Sequence, residues 1–483
     1  MSKKLSLVAT IVLFALSNIS LAQKVTQLVH PAPNGAFVEY LLTDGTVMVQ
    51  GNGESDWYVL TPDINGSYLN GNWKRVANLP SGYQPLYFAE AVLSDGRLLI
   101  TGGEYNFNSF SFTNLGAVYD PLANTWTPLA PPAGFDYIGD SPSTVLPDGR
   151  FLLGAKFKKL LAVLDPATLT WTAMPNKGKN DFNAEEGWTL MPDGTILTYD
   201  VKDHPKSERY VPEKGKWVDA GDLPADLWEP QNCCGCITYD PNKPCYQPPG
   251  EVGPGILRPD GTVFAAGGKK DGSSKAHTDV WTPPSKGDKT GHWTAGPDFP
   301  SSEDVGDCYA SLLPSGNVLV QGLSGTLYEF DGTTLTHEPF NGAGGALMVL
   351  PTGEIMVGGS HLYQTTGTYK ASWRPKISDA PSNVTRGQSY QVSGTQFNGL
   401  SQANSFGDED TTSTNYPLVR ITNTATKHVF YARTHDHSTM AVATGKAPVS
   451  THFDVSNSTE TGPSTLVVVA NGIPSAPVAV TVN

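Results

Sequence analysis

The chain has 483 residues, with 32 basic and 46 acidic side chains and a formal net charge of -14 at pH 7. Such a surface repels phosphate backbones and excludes nucleic acid as a partner. With 50 Gly and 38 Pro, long helices have little room, so turn-rich β structure is the default expectation.

The chain opens Met1-Ser2-Lys3-Lys4, runs through the apolar stretch Leu5 to Leu16 and reaches Leu21-Ala22-Gln23. A short charge, an apolar core and small residues at the exit predict a signal peptide over 1–22, cleaved near Ala22, and a secreted or periplasmic protein. The apolar run is broken by Ser17, Asn18 and Ser20, too short to span comfortably, and no later stretch is apolar enough to cross a bilayer.

From there one phrase recurs: apolar residues, a tight turn containing Gly, then an apolar strand. The copies are YLLTDGTVMVQG, AVLSDGRLLITGG, TVLPDGRFLLG, TLMPDGTILTYD, GILRPDGTVFAAGG, SLLPSGNVLVQG and MVLPTGEIMVGG, with turn glycines Gly45, Gly96, Gly149, Gly194, Gly261, Gly316 and Gly353. Each reads as a β-hairpin in which a two-residue Asp-Gly turn supplies positive φ. Further strands with Trp-containing turns lie between copies, as in VYDPLANTWTPL and LAVLDPATLTWTAM. About four strands per unit at this period predict an all-β fold, a seven-bladed kelch-like β-propeller over 23–369.

The longest gap, between Gly194 and Gly261, holds Cys233, Cys234, Cys236 and Cys245. Residues 229–250 read as a loop inserted into the array. In an oxidising compartment the four cysteines are disulfide candidates, with a thiolate metal site as the alternative; Cys308 is left over.

After Gly359 the repeats stop. Residues 370–483 read as short alternating strands, an immunoglobulin-like β-sandwich. Within it, Asp408, Glu409 and Asp410 suit either a calcium-binding loop or a solvated turn. The phrase ARTHDHSTM places His435 and His437 two residues apart, and imidazole is a good copper or zinc ligand.

Seven kelch-like units followed by a sandwich ending VVVANGIPSAPVAVTV resemble galactose oxidase and glyoxal oxidase, the copper radical oxidases. The resemblance implies one copper on the propeller axis, held by two tyrosines and two histidines. One tyrosine would be cross-linked to a cysteine, and one histidine would come from a Thr-His turn that Thr434-His435 matches. On the propeller side the pattern departs. One strand length before the turns, where the family carries its cysteine, tyrosine and histidine, stand Ala36, Tyr87, Asp140, Glu185, Val252, Asp307 and Gly344. None is a histidine or a cysteine. Cys308-Tyr309 is no easy substitute, because neighbours on a strand point to opposite faces.

The same ring of positions predicts a different constellation: Asp140, Glu185 and Asp307 converging at the axial mouth, with Tyr87, Glu90 and Glu186 nearby. Carboxylates crowded together share protons or hold a cation, so a divalent metal (calcium, manganese, zinc or copper) is a candidate cofactor, with His435, His437 and Asp307 as candidate ligands. Aromatic loop residues Tyr83, Tyr105, Phe107, Phe110 and Phe112 suit stacking on sugar rings. The functional expectation is a binding protein for a glycan or cell-wall polymer. The alternatives are a copper oxidase with altered ligands, a metal-dependent hydrolase, and a structural surface module.

Overall fold

The computed structural model describes residues 24–483 except 54, 184, 231–247, 270–274, 341, 343, 366 and 408–411. The expected signal peptide, the four clustered cysteines and Asp408, Glu409 and Asp410 therefore lie outside the described residues. Those described are all-β; the only helical pieces among them are two short 3₁₀ turns, Pro212–Lys214 and Ala371–Trp373.

Each repeat phrase forms the hairpin that opens an antiparallel sheet. In the first, Glu39–Leu41 pairs with Val47–Gln50, which pairs with Trp57–Thr61, which pairs with Asn72–Arg75. The turn differs from the expected two-residue form. Gly45 donates its N–H to the Leu42 carbonyl, Leu42 donates to Thr46, and of the Asp-Gly pair only Gly45 has positive φ, 75°. That is a type I turn closed by a left-handed glycine. The aspartate braces the turn from within, because Asp44 Oδ1 accepts the Thr46 N–H at 3.0 Å, and Asp95, Asp148, Asp193 and Asp260 repeat the bond. An Asp side chain bonding its own backbone two residues on is why the pair recurs.

Seven sheets of this plan occur among the described residues. Their first strands are Glu39–Leu41, Ala89–Val92, Ser143–Val145, Thr189–Leu190, Gly255–Leu257, Tyr309–Leu312 and Leu347–Val349, buried along nearly their whole length. The first strands of the second and third sheets lie side by side, as do those of the fourth to seventh in succession, and the seventh lies beside the first. The sheets thus surround a common axis. Closure is covalently out of order: the seventh sheet takes its fourth strand, Lys24–Gln27, from the start of the described chain, pairing with His361–Gln364. The tryptophans of VYDPLANTWTPL and LAVLDPATLTWTAM lie in outer strands rather than in turns. Trp126 and Trp171 donate their indole N–H to Ala77 and Ala130, in the segments that leave the preceding sheets.

The C-terminal strands, from Lys376–Asp379 to Val478–Val482, form a further nine-stranded array. Strand Val429–His435 pairs with Leu418–Asn423 through its first half and with Pro448–Asp454 through its second. By changing partners it joins two groups of strands over one apolar core that includes Val392, Phe397, Val419, Phe453, Leu466 and Val480. This region rests on the turn face of the ring: Thr434 N–H bonds the Thr43 carbonyl and Met440 N–H that of Pro147. From it, residues 398–407 and 412–416 run into the axis. Asn404–Phe406 adds a fifth strand to the sixth sheet, Tyr309 opposite Phe406. Asn404 Oδ1 accepts from Ser311 Oγ at 2.7 Å and from Val349 N–H at 3.2 Å, and Gln402 bonds Thr144 and the Leu190 N–H. One segment thereby satisfies inner-strand groups of four sheets.

Candidate functional site

Opposite the turn face the axis opens into a cavity of about 550 Å³ lined by residues that include Ala36, Phe37, Tyr87, Glu229, Glu251, Asp304, Asp307, Tyr309, Gly344 and Phe406. Four of the seven ring positions read from the sequence, Ala36, Tyr87, Asp307 and Gly344, therefore face one space.

One wall is aromatic. Tyr87 stacks with Phe406 (ring centroids 6.0 Å apart) and meets Phe37 edge-on at 5.2 Å, while Tyr309 lies 4.4 Å from Phe406. Tyr309 Oη donates to the Phe37 carbonyl at 2.8 Å, tying the sixth sheet to the chain entering the first. Tyr87 has φ 53°, and Glu185, its counterpart two sheets on, has φ 57°. Left-handed non-glycine backbone costs of order 1–3 kcal/mol and concentrates at working sites.

The other wall is acidic. Burial first, then the Asp140 charge, raises the Asp307 carboxyl to about 6, partly offset by a hydrogen bond with Glu251. Burial and then Asp307 push Glu251 well above the carboxylate range. Behind the lining, Glu104, whose N–H bonds the Tyr87 carbonyl, is raised to about 8 by burial and then by Asp140. Gly407 packs against Asp307: a Cβ there would stand 2.8 Å from Asp307 Oδ1, and φ is 38°. Only glycine lets the axial segment pass so close.

Asp140 and Glu185 come together beside this wall. Both carboxylates bind the ammonium of Lys156, which is wholly buried and lies 4.8 Å from the Phe112 ring centroid. Glu186 departs from the expectation. Its side chain leaves the Lys156 site and joins a second buried cluster in which Lys179 Nζ lies 2.8 Å from Glu186, 2.6 Å from Glu208, 3.2 Å from Asp181 and 3.9 Å from Asp200. Among the described residues, Asp181, Glu186 and Asp200 are the one carboxylate trio with ligand-like spacing. The Lys179 ammonium already supplies the cation there. Glu90 is buried, and its Oε1 accepts the Thr412 N–H at 2.9 Å, so it anchors the axial segment instead of lining the cavity.

The expected ligand set His435, His437 and Asp307 is not assembled. His435 Nδ1 is 2.8 Å from Asp436 and Nε2 3.1 Å from Asp454. His437 Nδ1 is 2.8 Å from Thr451 Oγ1, and burial lowers this imidazole to about 3. His435 ends the strand Val429–His435 and His437 follows it, both in the C-terminal region on the turn face, whereas Asp307 lies just before the far end of the inner strand Tyr309–Leu312. The part of the C-terminal region that reaches the cavity is Phe406. No histidine or cysteine is among the described residues lining it. Cys308 is buried in apolar packing, with Sγ 3.8 Å from the Asp304 carbonyl, while Tyr309 faces the cavity. These residues do not fit a copper radical centre, which needs nitrogen donors and a tyrosine joined to sulfur.

Of the loop aromatics, Tyr83 and Phe112 are core residues; Phe107 and Phe110 are exposed, and Tyr105 lies between, 6.2 Å from Tyr87. Lys156, Glu104 and Glu251 are site residues that sequence reasoning does not find. The one signal for Lys156 is a lysine directly following the apolar strand FLLGA.

The sequence matches no family model and no curated protein. In structure it is similar to a copper-bound fungal alcohol oxidase of the AA5 family, with a TM-score of 0.51 and 14% identity over 95% of this chain and 98% of that one. Two further similar structures are a virginiamycin B lyase of Staphylococcus aureus (TM-score 0.46, 10% identity, 71% of this chain and 98% of that one) and the extracellular domain of a one component system of B. thetaiotaomicron (TM-score 0.44, 10% identity, 95% and 58%). The first likeness fixes a class, an all-β propeller protein with the fold of the galactose oxidase group. At this identity it is a likeness of fold, and fold does not assign chemistry.

Proposed function

We propose that this chain is an exported carbohydrate-binding protein that takes a sugar of a glycan or cell-wall polymer into its axial cavity. Under this reading residues 1–22 are removed as a signal peptide, 23–369 form a seven-bladed propeller and 370–483 an immunoglobulin-like domain, with the cysteines of 229–250 paired as disulfides.

One observation carries the proposal: the rings of Tyr87, Phe406, Phe37 and Tyr309 face the carboxylates of Glu251, Asp304 and Asp307 across one space. A sugar ring has apolar C–H faces that stack on aromatic rings and hydroxyl edges that donate to carboxylates, so it meets both walls at once. The test is calorimetric titration of the purified protein with soluble oligosaccharides of different composition, alongside Tyr87→Ala and Phe406→Ala. Saturable binding by the parent protein, weakened at least tenfold in both variants, supports the reading. Absence of binding across the panel, or copper-dependent peroxide release from alcohols, overturns it.

A further inference from the structure

Resting on the carbohydrate reading, we propose that the ligand is a polymer whose sugars beyond the one in the cavity lie along a run of aromatic rings over the second to fourth sheets. The run starts at Tyr87 in the cavity wall. Between ring centroids, Tyr105 lies 6.2 Å from Tyr87, Phe110 6.0 Å from Tyr105, Phe112 4.4 Å from Phe110, Phe157 5.2 Å from Phe112 and Phe182 6.0 Å from Phe157. The rings beyond Tyr87 come from segments that join strands at the end of the sheets opposite the repeat turns. Phe110 is 47% exposed, and Tyr105, Phe157 and Phe182 are half-buried. Phe112 is buried and supports the run, with the Lys156 ammonium 4.8 Å from its centroid and 5.7 Å from that of Phe157, close enough for cation–π attraction to fix both rings.

Backbone strain is an independent observation at the same surface. The hairpin of Tyr105–Asn106 with Ser109–Phe110 closes on Phe107 and Asn108, whose φ values are 53° and 55°. This is a type I′ turn, in which asparagine and glycine are the ordinary residues. Phe107 holds that unfavourable conformation with its side chain 52% exposed, so burial does little to offset the strain. Phe112 has φ 42°, and with Tyr87 and Phe107 it completes the set of aromatic residues with left-handed backbone among the described residues. Such strain concentrates at ligand clamps, and all three residues belong to one continuous aromatic surface. Continuity with the cavity favours a sugar polymer as occupant. Once one unit is held there, contacts of its neighbours are intramolecular, and each C–H face that stacks on a ring adds affinity. A lipid surface fits less well, because a net charge of -14 repels anionic headgroups.

The experiment titrates β-1,4-linked oligomers of glucose, N-acetylglucosamine and xylose, each of two, four and six units, calorimetrically into the full chain. For a sugar that binds, the six-unit oligomer is expected to bind at least tenfold more tightly than the two-unit one. Phe107→Ala combined with Phe110→Ala should reduce that length gain to under threefold while leaving the two-unit affinity within twofold, whereas Tyr87→Ala should weaken every length. Phe182→Ala provides a second reading should the double variant misfold by circular dichroism. Equal affinity across lengths, or a length gain that the variants retain, overturns the polymer inference and leaves the carbohydrate reading standing. Adsorption to phosphatidylcholine vesicles that the double variant loses would overturn it in favour of a lipid surface. No binding of any oligomer overturns both.

Discussion

Asp140 and Glu185, from loops that lead into different sheets, close on a single ammonium, that of Lys156. Removing one partner of a buried ion pair leaves uncompensated charge and costs about 3–5 kcal/mol. Lys156→Met should therefore lower the unfolding free energy in urea by about that amount. Adding Asp140→Asn and Glu185→Gln to it should recover much of the loss, since no buried charge then remains. A Lys156→Met protein within about 1 kcal/mol of the parent would show that the three groups are solvated in solution.

Glu39 gives a pH dependence. Its carboxyl, buried on the first inner strand, is raised from 4.5 to about 8 by burial, partly offset by the Gly359 N–H that it accepts. Below the ordinary value both folded and unfolded chains hold the proton. Between about 4.5 and 8 only the folded chain does, so ionisation of the unfolded chain draws stability down by about 1.4 kcal/mol per pH unit as pH rises. Above that window both states are ionised and this contribution is flat. Glu39→Gln should flatten this part of the profile while leaving stability near pH 4 unchanged, as measured by urea unfolding across pH. An unaltered slope in the variant would assign the dependence to other groups.

Asn404 holds the axial segment in place. Its side chain accepts from Ser311 and Val349 and donates to the Thr412 carbonyl at 3.0 Å. Asn404→Leu leaves three buried groups without partners, at about 1–3 kcal/mol each before relaxation. We expect a fall of at least about 2 kcal/mol in stability and faster amide exchange at Ser405 and Phe406. Exchange unchanged at those positions would mean that strand pairing alone holds the segment.

Ring closure is equally open to test. Deleting residues 24–27 strips the seventh sheet of its outer strand and exposes the edge His361–Gln364. An open sheet edge invites pairing with other chains, so the truncated protein should melt at lower temperature and form oligomers, by calorimetry and light scattering. A monomer with the parent melting temperature would contradict the closure.

The repeat is legible in the sequence because its signal is local. A hairpin turn needs a residue at positive φ, Gly supplies it, and Asp beside it bonds its own backbone, so the phrase can be read without knowing what surrounds it. Ring membership of Tyr87 and Asp307 follows from counting one strand back from those turns. The electrostatic partners are not legible. Lys156 finds Asp140 and Glu185 on separate loops, and Glu251 meets Asp307 from another sheet, pairings that no repeat spacing encodes. Glu186 falls outside the expected cluster because adjacency in sequence is not adjacency in space. The histidines fall outside it because Thr434-His435 matches a motif in letters, while the described residues that enter the axis, 398–407 and 412–416, carry Phe406 and no histidine.

The strand Lys24–Gln27 sets an order in time. It emerges from the ribosome before any of the seven inner strands, yet its partner His361–Gln364 is synthesised only after nearly the whole ring. Chains fold largely as they appear, so the six earlier sheets can form while this strand waits without a neighbour, and the last sheet completes only when the beginning of the chain is brought back to it. A growing chain is thus an open arc with two exposed ends, and a factor that shields extended segments would matter most just before that final joining.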